Sequence, residues 1–327
     1  MLLARRTNSM CDASNKWLTN ALVGWTLEIQ ERQAHMADLL NLDDWDWADE
    51  EPSGETDKQW LREPAGGSRW LFKPNKPDRS QDEASSEYAA GQIARLFNVP
   101  AATVSLGLRN GILGCISLNV VSAETHGLVD AATFLSAMEE DFDPRDRQSR
   151  GHNQENIVRL LRELDPPAAS FPGVTATEIF ADYLLFDAFI GNTDRHSKNW
   201  AIETRLDGPE LLAPTFDHAT SLGITSRGRA RERLLGNLTA KTVEAFAERA
   251  HAGRFEDGRD QSLVTYAMLF LRRYAPDRAS LWQQRLETLD MCEVHDAIRS
   301  SAMSPPGVTL ALAVTTTNRE RMLRCLR

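Results

Sequence analysis

Ile190-Gly191-Asn192-Thr193-Asp194-Arg195-His196-Ser197-Lys198-Asn199-Trp200 is a polar loop set between two apolar segments. The run before it, Ile179 to Ile190, has a helical apolar pattern, and Trp200 to Glu203 after it reads as a short strand. Tight polar loops between such elements commonly carry chemistry. This one offers a carboxylate at Asp194 and, five positions on, an amide oxygen at Asn199. A second carboxylate, Asp217, lies 23 positions beyond Asp194, after Leu211-Leu212-Ala213-Pro214-Thr215-Phe216.

An acid, a carboxamide five residues later and an acid closing the next hairpin form the layout of a protein-kinase catalytic loop and metal segment. Phosphoryl transfer from ATP asks the protein for positioning and charge neutralisation rather than covalent work. One carboxylate must accept the proton of the incoming hydroxyl, and Asp194 fits that role. Mg²⁺ requires hard oxygen ligands beside the phosphates, and Asn199 and Asp217 supply them.

The 327 residues suffice for one large or two modest domains with a sizeable core. A hydrophobic share of 42% and a charged share of 26% are those of a globular chain. The net charge of −10 argues against general nucleic-acid affinity, although it leaves room for a local basic patch. Cys11, Cys115, Cys292 and Cys325 are far apart and lack metal or redox spacing, so they read as free thiols of a cytoplasmic protein. Met1 to Met10 has no apolar core for a signal peptide. No run reaches the ~18 apolar residues a membrane span needs.

Residues 1 to 50 read as an N-terminal extension, loosely ordered to about residue 24 and helical over Trp25–Leu42. The acidic block Asp43 to Glu55, with Trp45 and Trp47 inside it, reads as a solvated connection. Residues 51 to 121 then carry hairpin signals. Lys58–Arg62 and Ser68–Lys73 flank Pro64-Ala65-Gly66-Gly67, and two apolar runs flank Asn110-Gly111. Between them Asp82 to Phe97 reads as an amphipathic helix with Tyr88, Ile93, Leu96 and Phe97 on one face. Four or five strands and one helix predict a small α+β lobe.

Four features of this lobe suit a nucleotide. Lys73 ends a strand; such a lysine is commonly a solvated charge, but here an ammonium would reach the phosphates. Glu87 suits the dipole of its helix start, and in a kinase the same acid aims the strand lysine. Ser117-Leu118-Asn119 falls where the lobe hands over to the next, so its backbone would meet an adenine. The segment from Glu51 to Lys58, with Ser53 and Gly54, would form the loop over the phosphates.

From Ser122 to Arg327 the pattern is mainly helical, with apolar faces such as Ile157, Leu160, Leu161 and Leu164, and a hairpin around Leu206-Asp207-Gly208-Pro209. Arg227, Arg229, Arg231 and Arg233 form a charge run after Asp217. It reads as a solvated face or as part of an activation segment.

Gly191 to Asn199 resembles the catalytic loop of HipA-like serine/threonine kinases, a bacterial family that includes the toxin kinases of toxin–antitoxin pairs. Phe72-Lys73-Pro74, Ser86-Glu87-Tyr88 and Thr215-Phe216-Asp217 match in the right order, so the resemblance runs over roughly Lys58 to Leu222. It implies a bilobal protein-kinase-like α+β fold, with a β-rich N-lobe (51–121) and a larger helical C-lobe (122–327). The C-lobe would carry the catalytic loop 191–199 and the metal segment 215–218. It implies ATP and Mg²⁺ as cofactors, with Asp194 as base, Asn199 and Asp217 as metal ligands, and Lys73 oriented by Glu87 onto the phosphates. His196 would organise the loop or approach the nucleotide, and Lys198 would touch the transferred phosphate. Ser53, with Thr56 behind it, is the candidate for autophosphorylation in the nucleotide loop. The partners implied are a protein substrate and an antitoxin or regulatory protein, with no membrane. Longer family members carry an N-terminal subdomain that the first 50 residues do not resemble, and this weakens the expectation of antitoxin binding and DNA tethering.

Two other readings fit parts of the pattern. A metal-dependent phosphohydrolase would use Asp194, His196, Asp217 and His218 as ligands. That leaves Lys73, Glu87 and the five-residue Asp–Asn spacing without a role. A nucleotide-binding pseudokinase scaffold would keep the fold without transfer; the intact set Lys73, Asp194, Asn199 and Asp217 weighs against it.

Overall fold

A computed structural model describes residues 39–50, 58–121 and 126–327. The first part of the chain forms a six-stranded sheet of β1 (Leu40–Asn41), β2 (Asp46–Glu50), β3 (Gln59–Arg62), β4 (Arg69–Pro74), β5 (Val104–Arg109) and β6 (Ile112–Leu118). The spatial order is β1-β5-β6-β4-β3-β2; β1 runs parallel to β5 and the other neighbours are antiparallel. Asn110 and Gly111 both take positive φ, 50° and 75°, as a two-residue turn between twisted strands requires. Helix α1 (Glu83–Leu96) packs on β5 and β6 through small residues. Its Gly91 faces Val104 so closely that a Cβ there would already be in van der Waals contact, at 3.6 Å.

Two expectations for this region are corrected. The described part of the acidic block, residues 43–50, is not a solvated connection, because residues 46–50 are the edge strand β2, paired with β3, while residues 51–55 lie outside the described residues. Trp45 is buried with Leu42, Leu61, Phe72 and Ile116 and meets the Trp70 ring edge-on at 6.1 Å, whereas Trp47 is exposed. Of its acids Asp46 is exposed, and a hydrated charge on an edge strand does not oppose pairing. The sheet therefore reaches back into the segment assigned to an extension, and Leu40–Asn41, the end of the expected helix, is strand β1. Residues 1–38 lie outside the described residues, as do Ser53, Gly54 and Thr56.

Among the described residues of the second part, whose composition suggests helices, the first element is strand β7 (His126–Asp130). β7 pairs with β8 (Ala201–Arg205), which in turn pairs with β9 (Leu211–Leu212). Its partner lies over seventy residues away in sequence, so no local pattern announces it. The helices among the described residues that follow are α2 (Ala131–Met138), α3 (Gln154–Leu161), α4 (Ala176–Ile190), α5 (Gly228–Leu235), α6 (Ala240–Glu248), α7 (Leu263–Tyr274), α8 (Arg278–Thr288), α9 (Met291–Arg299) and α10 (Pro305–Leu326).

Helix α4 is the centre of the main core. It is buried on nearly every face and mostly apolar, as a surrounded helix must be, and it packs against α7 and α10. Each of its buried Phe180, Phe186 and Phe189 contributes about 1.5–3 kcal/mol of apolar burial. Thr175 and Glu178 form a capping box at its start. Gly191 ends it at φ 69°, a left-handed turn that costs glycine little, and so releases the chain into the polar loop.

Candidate active site

Two aspartates interrupt the apolar surface of α4, and one of them anchors the loop that follows. Asp187 accepts Arg195 Nε and Nη2, both at 2.8 Å, a bidentate pair buried at both ends. Asp187 also takes Asn192 Nδ2 at 2.8 Å, and Asn192 Oδ1 takes the Asp194 N–H at 3.2 Å. Burial lowers the basicity of Arg195, but Asp187 outweighs it and holds the guanidinium above its ordinary range. The loop is thus braced from below by one buried cation.

Arg195 also reaches across to the metal segment. Its Nη1 donates to the carbonyl oxygens of Asn199, at 2.6 Å, and Phe216, at 3.4 Å. One nitrogen therefore holds the backbones that carry Asn199 and, one residue on, Asp217. The Asn199 amide donates through Nδ2 to Asp194 O at 2.8 Å, a bond that fixes the amide and uses its nitrogen, not its oxygen.

Asp217 sits at φ 62°, a left-handed conformation an aspartate tolerates better than most residues. It is fixed from the other lobe. Its N–H donates to Glu87 Oε1 at 3.1 Å, and its Oδ2 lies 3.3 Å from Lys73 Nζ. Burial pushes the Asp217 carboxyl up, but Lys73 and Lys58 outweigh it and bring it down to about 2. Burial likewise works against the Lys73 ammonium, and Asp217 and Glu87 overcome it, holding the group above its usual range. Lys58, at the start of β3, is thereby near enough for its charge to act on the site.

Glu87 is buried on α1, and its Oε2 has no hydrogen-bond partner. Burial raises its carboxyl to about 7; Lys73 offsets part of that, and Asp217 adds to it. The expected lysine–glutamate pair is therefore only half realised: both residues converge on Asp217, and the ion pair formed is Lys73–Asp217. Ser86, beside Glu87, bonds Ser221 O and Oγ at 3.2 and 3.0 Å and so ties α1 to the chain after the metal segment.

Asp194 is partly exposed, and its Oδ1 receives Arg254 Nε at 2.7 Å. His196 Nδ1 accepts the Lys198 N–H at 3.2 Å, so this histidine shapes the loop, while burial lowers its basicity. The Lys198 side chain is exposed. At the handover between lobes, the Leu118 and Asn119 N–H groups donate to Thr103 O and Arg69 O at 2.8 and 2.9 Å, and Ser117 lies within β6, opposite Leu71 and Val104. Two of the three amide N–H groups are thus engaged within the protein, and contact between this segment's backbone and an adenine remains a proposal.

His218 Nε2 meets Thr215 Oγ1 at 3.0 Å and Arg195 Nη2 at 3.3 Å in a buried setting, and burial holds the ring neutral. It is thus turned to structural partners, which removes it from the ligand set of the phosphohydrolase reading. Among the described residues no group of three or more His, Cys, Asp or Glu side chains is placed to hold a metal ion by itself. One carboxylate and one amide oxygen beside a lysine do suit Mg²⁺, which takes few protein ligands and relies on phosphate oxygens and water. Asn199 and Asp217 therefore fit that ion as a partner of a bound nucleotide.

The arginine run lies on α5, a helix with no buried residue. Arg227 pairs with Glu83 at 3.6 Å and Arg231 with Asp82 at 3.3 Å, both acids at the start of α1. Asp82 also accepts the Ser304 N–H and Oγ at 2.8 Å, joining α1 to the cap of α10.

Arg195, Asp187 and Arg254 carry no role in the sequence reading. An acid inside an apolar helix was the available signal for the first pair. For Arg254, sixty positions from Asp194, there was none.

The HipA-like C-terminal domain family matches residues 46–268, more than half of the chain. No curated protein matches the chain. The crystal structure of a Helicobacter pylori proinflammatory kinase, CtkA, is similar at 15% identity and a TM-score of 0.66, covering 88% of this chain and 96% of that one. HipA in the Shewanella oneidensis MR-1 toxin–antitoxin complex of HipA, HipB and operator DNA aligns at 13% identity and a TM-score of 0.42, covering 90% of this chain and 72% of that one. The first of these likenesses establishes a shared kinase-like α/β fold. No helix among the described residues is long and apolar enough to cross a membrane.

Proposed function

This chain belongs to the HipA-like C-terminal domain family, and from that premise we propose that it is an ATP- and Mg²⁺-dependent serine/threonine protein kinase. The observation that carries the reading is the 3.3 Å ion pair between Lys73 of the sheet and Asp217 of the metal segment, with Glu87 holding the Asp217 N–H. Residues far apart in sequence converge there, which supports a phosphoryl-transfer site. Lys73 and Lys58 would neutralise phosphate charge. Asn199 Oδ1 and the Asp217 carboxylate would hold Mg²⁺, which when bound would draw charge from the transferring phosphoryl group. Asp194 Oδ2 would accept the proton of the incoming hydroxyl. Lys198, exposed four positions on, would meet the transferred group.

The kinase named in the similar Helicobacter pylori structure supports the class of activity. The family resemblance extends the proposal to a bacterial protein target, a toxin or regulatory role and an antitoxin-type partner. A segment around Ser53 remains the proposed autophosphorylation site.

Labelled ATP with Mg²⁺, with and without cell extract, tests the reading. Label on protein supports the kinase; free phosphate without labelled protein favours hydrolysis; binding without turnover favours a scaffold. Asp194→Ala is expected to abolish transfer while ATP still binds. Asp217→Asn keeps a side chain that tolerates the left-handed backbone, so it should fold yet lose Mg²⁺-dependent ATP binding. Equal transfer by wild type and Asp194→Ala would refute the assignment of the base.

A further inference from the structure

The Arg254 side chain is 53% exposed, so its ion pair with Asp194 adds little to stability. Its backbone is nonetheless held unusually firmly. His152, buried, receives Trp200 Nε1–H on Nε2 at 3.1 Å, which places its own proton on Nδ1. That Nδ1–H donates to Arg254 O at 2.6 Å. The imidazole stacks on Phe255 at 4.7 Å and on Trp200 at 6.3 Å. Glu256 adds further ties: its N–H donates to His152 O, and its Oε2 accepts the Gly151 N–H and Asn153 Nδ2, all within 2.9 Å.

Trp200 directly follows Asn199, so the connections close into a ring. They run from the catalytic loop through Trp200 to His152, on to Arg254, and back to Asp194 Oδ1. Two loops distant in sequence, 149–154 and 251–258, are locked together to present a single guanidinium N–H to the carboxylate proposed as the base. Its Oδ1 is thereby occupied and Oδ2 left to meet a hydroxyl. A partly exposed carboxylate without such a brace would sample other rotamers. Misplacing a reacting group by about 1 Å costs on the order of a hundredfold in rate.

We infer that Arg254 is a positioning residue for Asp194, set in place by the ring through His152 and Trp200. The inference rests on the kinase reading of the same site.

The test uses the full chain, labelled ATP with Mg²⁺, and whichever acceptor the wild type labels, an extract protein or the chain itself. A fluorescent trinitrophenyl-ATP displacement assay reports nucleotide affinity. Arg254→Ala should lower turnover by about tenfold to a hundredfold and leave ATP affinity within about twofold. Arg254→Lys, which keeps a donor, should recover part of the loss. His152→Phe keeps the stacking but breaks the ring, so it should lower turnover too. Combined with Arg254→Ala it should add nothing further, since both act through one path. Turnover of Arg254→Ala close to wild type, an equal fall in ATP affinity, or losses that multiply in the double variant would each overturn the inference while the kinase reading stands. ATP binding without transfer by wild type would overturn both.

Discussion

Replacing Glu87 by glutamine should alter how the protein's stability responds to pH. Glu87 is 2% exposed, with Oε1 on the Asp217 N–H and Oε2 buried without a partner. Burial, partly offset by Lys73 and reinforced by Asp217, raises its carboxyl from 4.5 to about 7. A folded-state value above the unfolded one means that the group's contribution is fully present below pH 4.5 and is lost as pH rises through about 7. At about 1.4 kcal/mol per pH unit, that loss amounts to about 3 kcal/mol. Glutamine cannot ionise, so Glu87→Gln should gain on wild type by about 3 kcal/mol between pH 4.5 and pH 8.

The measurement is chemical denaturation of both proteins across that range, compared as a difference. The difference matters because His152 titrates in the opposite sense and would mask the trend in either protein alone. Parallel curves for the two proteins would refute the reasoning. Glu87 would then keep one charge state throughout, and its orphaned oxygen would have another explanation.

His152 supplies the counterpart. Burial lowers its ring from 6.5 to about 4, so its contribution is present above pH 6.5 and is lost as pH falls towards 4, by about 3 kcal/mol. His152→Phe should flatten that part of the stability curve, and an unchanged acid limb in the denaturation series would count against it. Arg195→Met strands the Asp187 carboxylate in the core and should cost about 3–5 kcal/mol in denaturation, with Asp187→Leu added in the same chain recovering much of it. A single-variant loss under about 1 kcal/mol would show that the brace is dispensable. A Cβ at Gly114 would sit 2.5 Å from both Lys73 O and the Phe72 ring, so Gly114→Ala should cost about 1–3 kcal/mol and displace β4. ATP affinity should fall with it, and unchanged displacement of the fluorescent analogue would show that β4 yields without moving Lys73.

The sequence alone determined the elements whose signals are local. The apolar run ending at Gly191, the Asn110-Gly111 turn, the α1 face and the five-residue Asp194–Asn199 spacing each follow from contacts within a few residues, where periodicity and turn chemistry act. The loop proposed to carry the site was legible for the same reason, since it is contiguous. What only the tertiary structure decided depends on partners distant in the chain. β2 is a strand because β3 pairs with it, despite its acids, and β7 because β8 does, from over seventy residues away. Lys73 meets Asp217 before Glu87, Arg195 spans from the catalytic loop to Phe216, and Arg254 arrives at Asp194 from sixty positions away. A charge in a sequence has no direction. Burial and a neighbour assign it one, and both come into being only when the chain closes on itself.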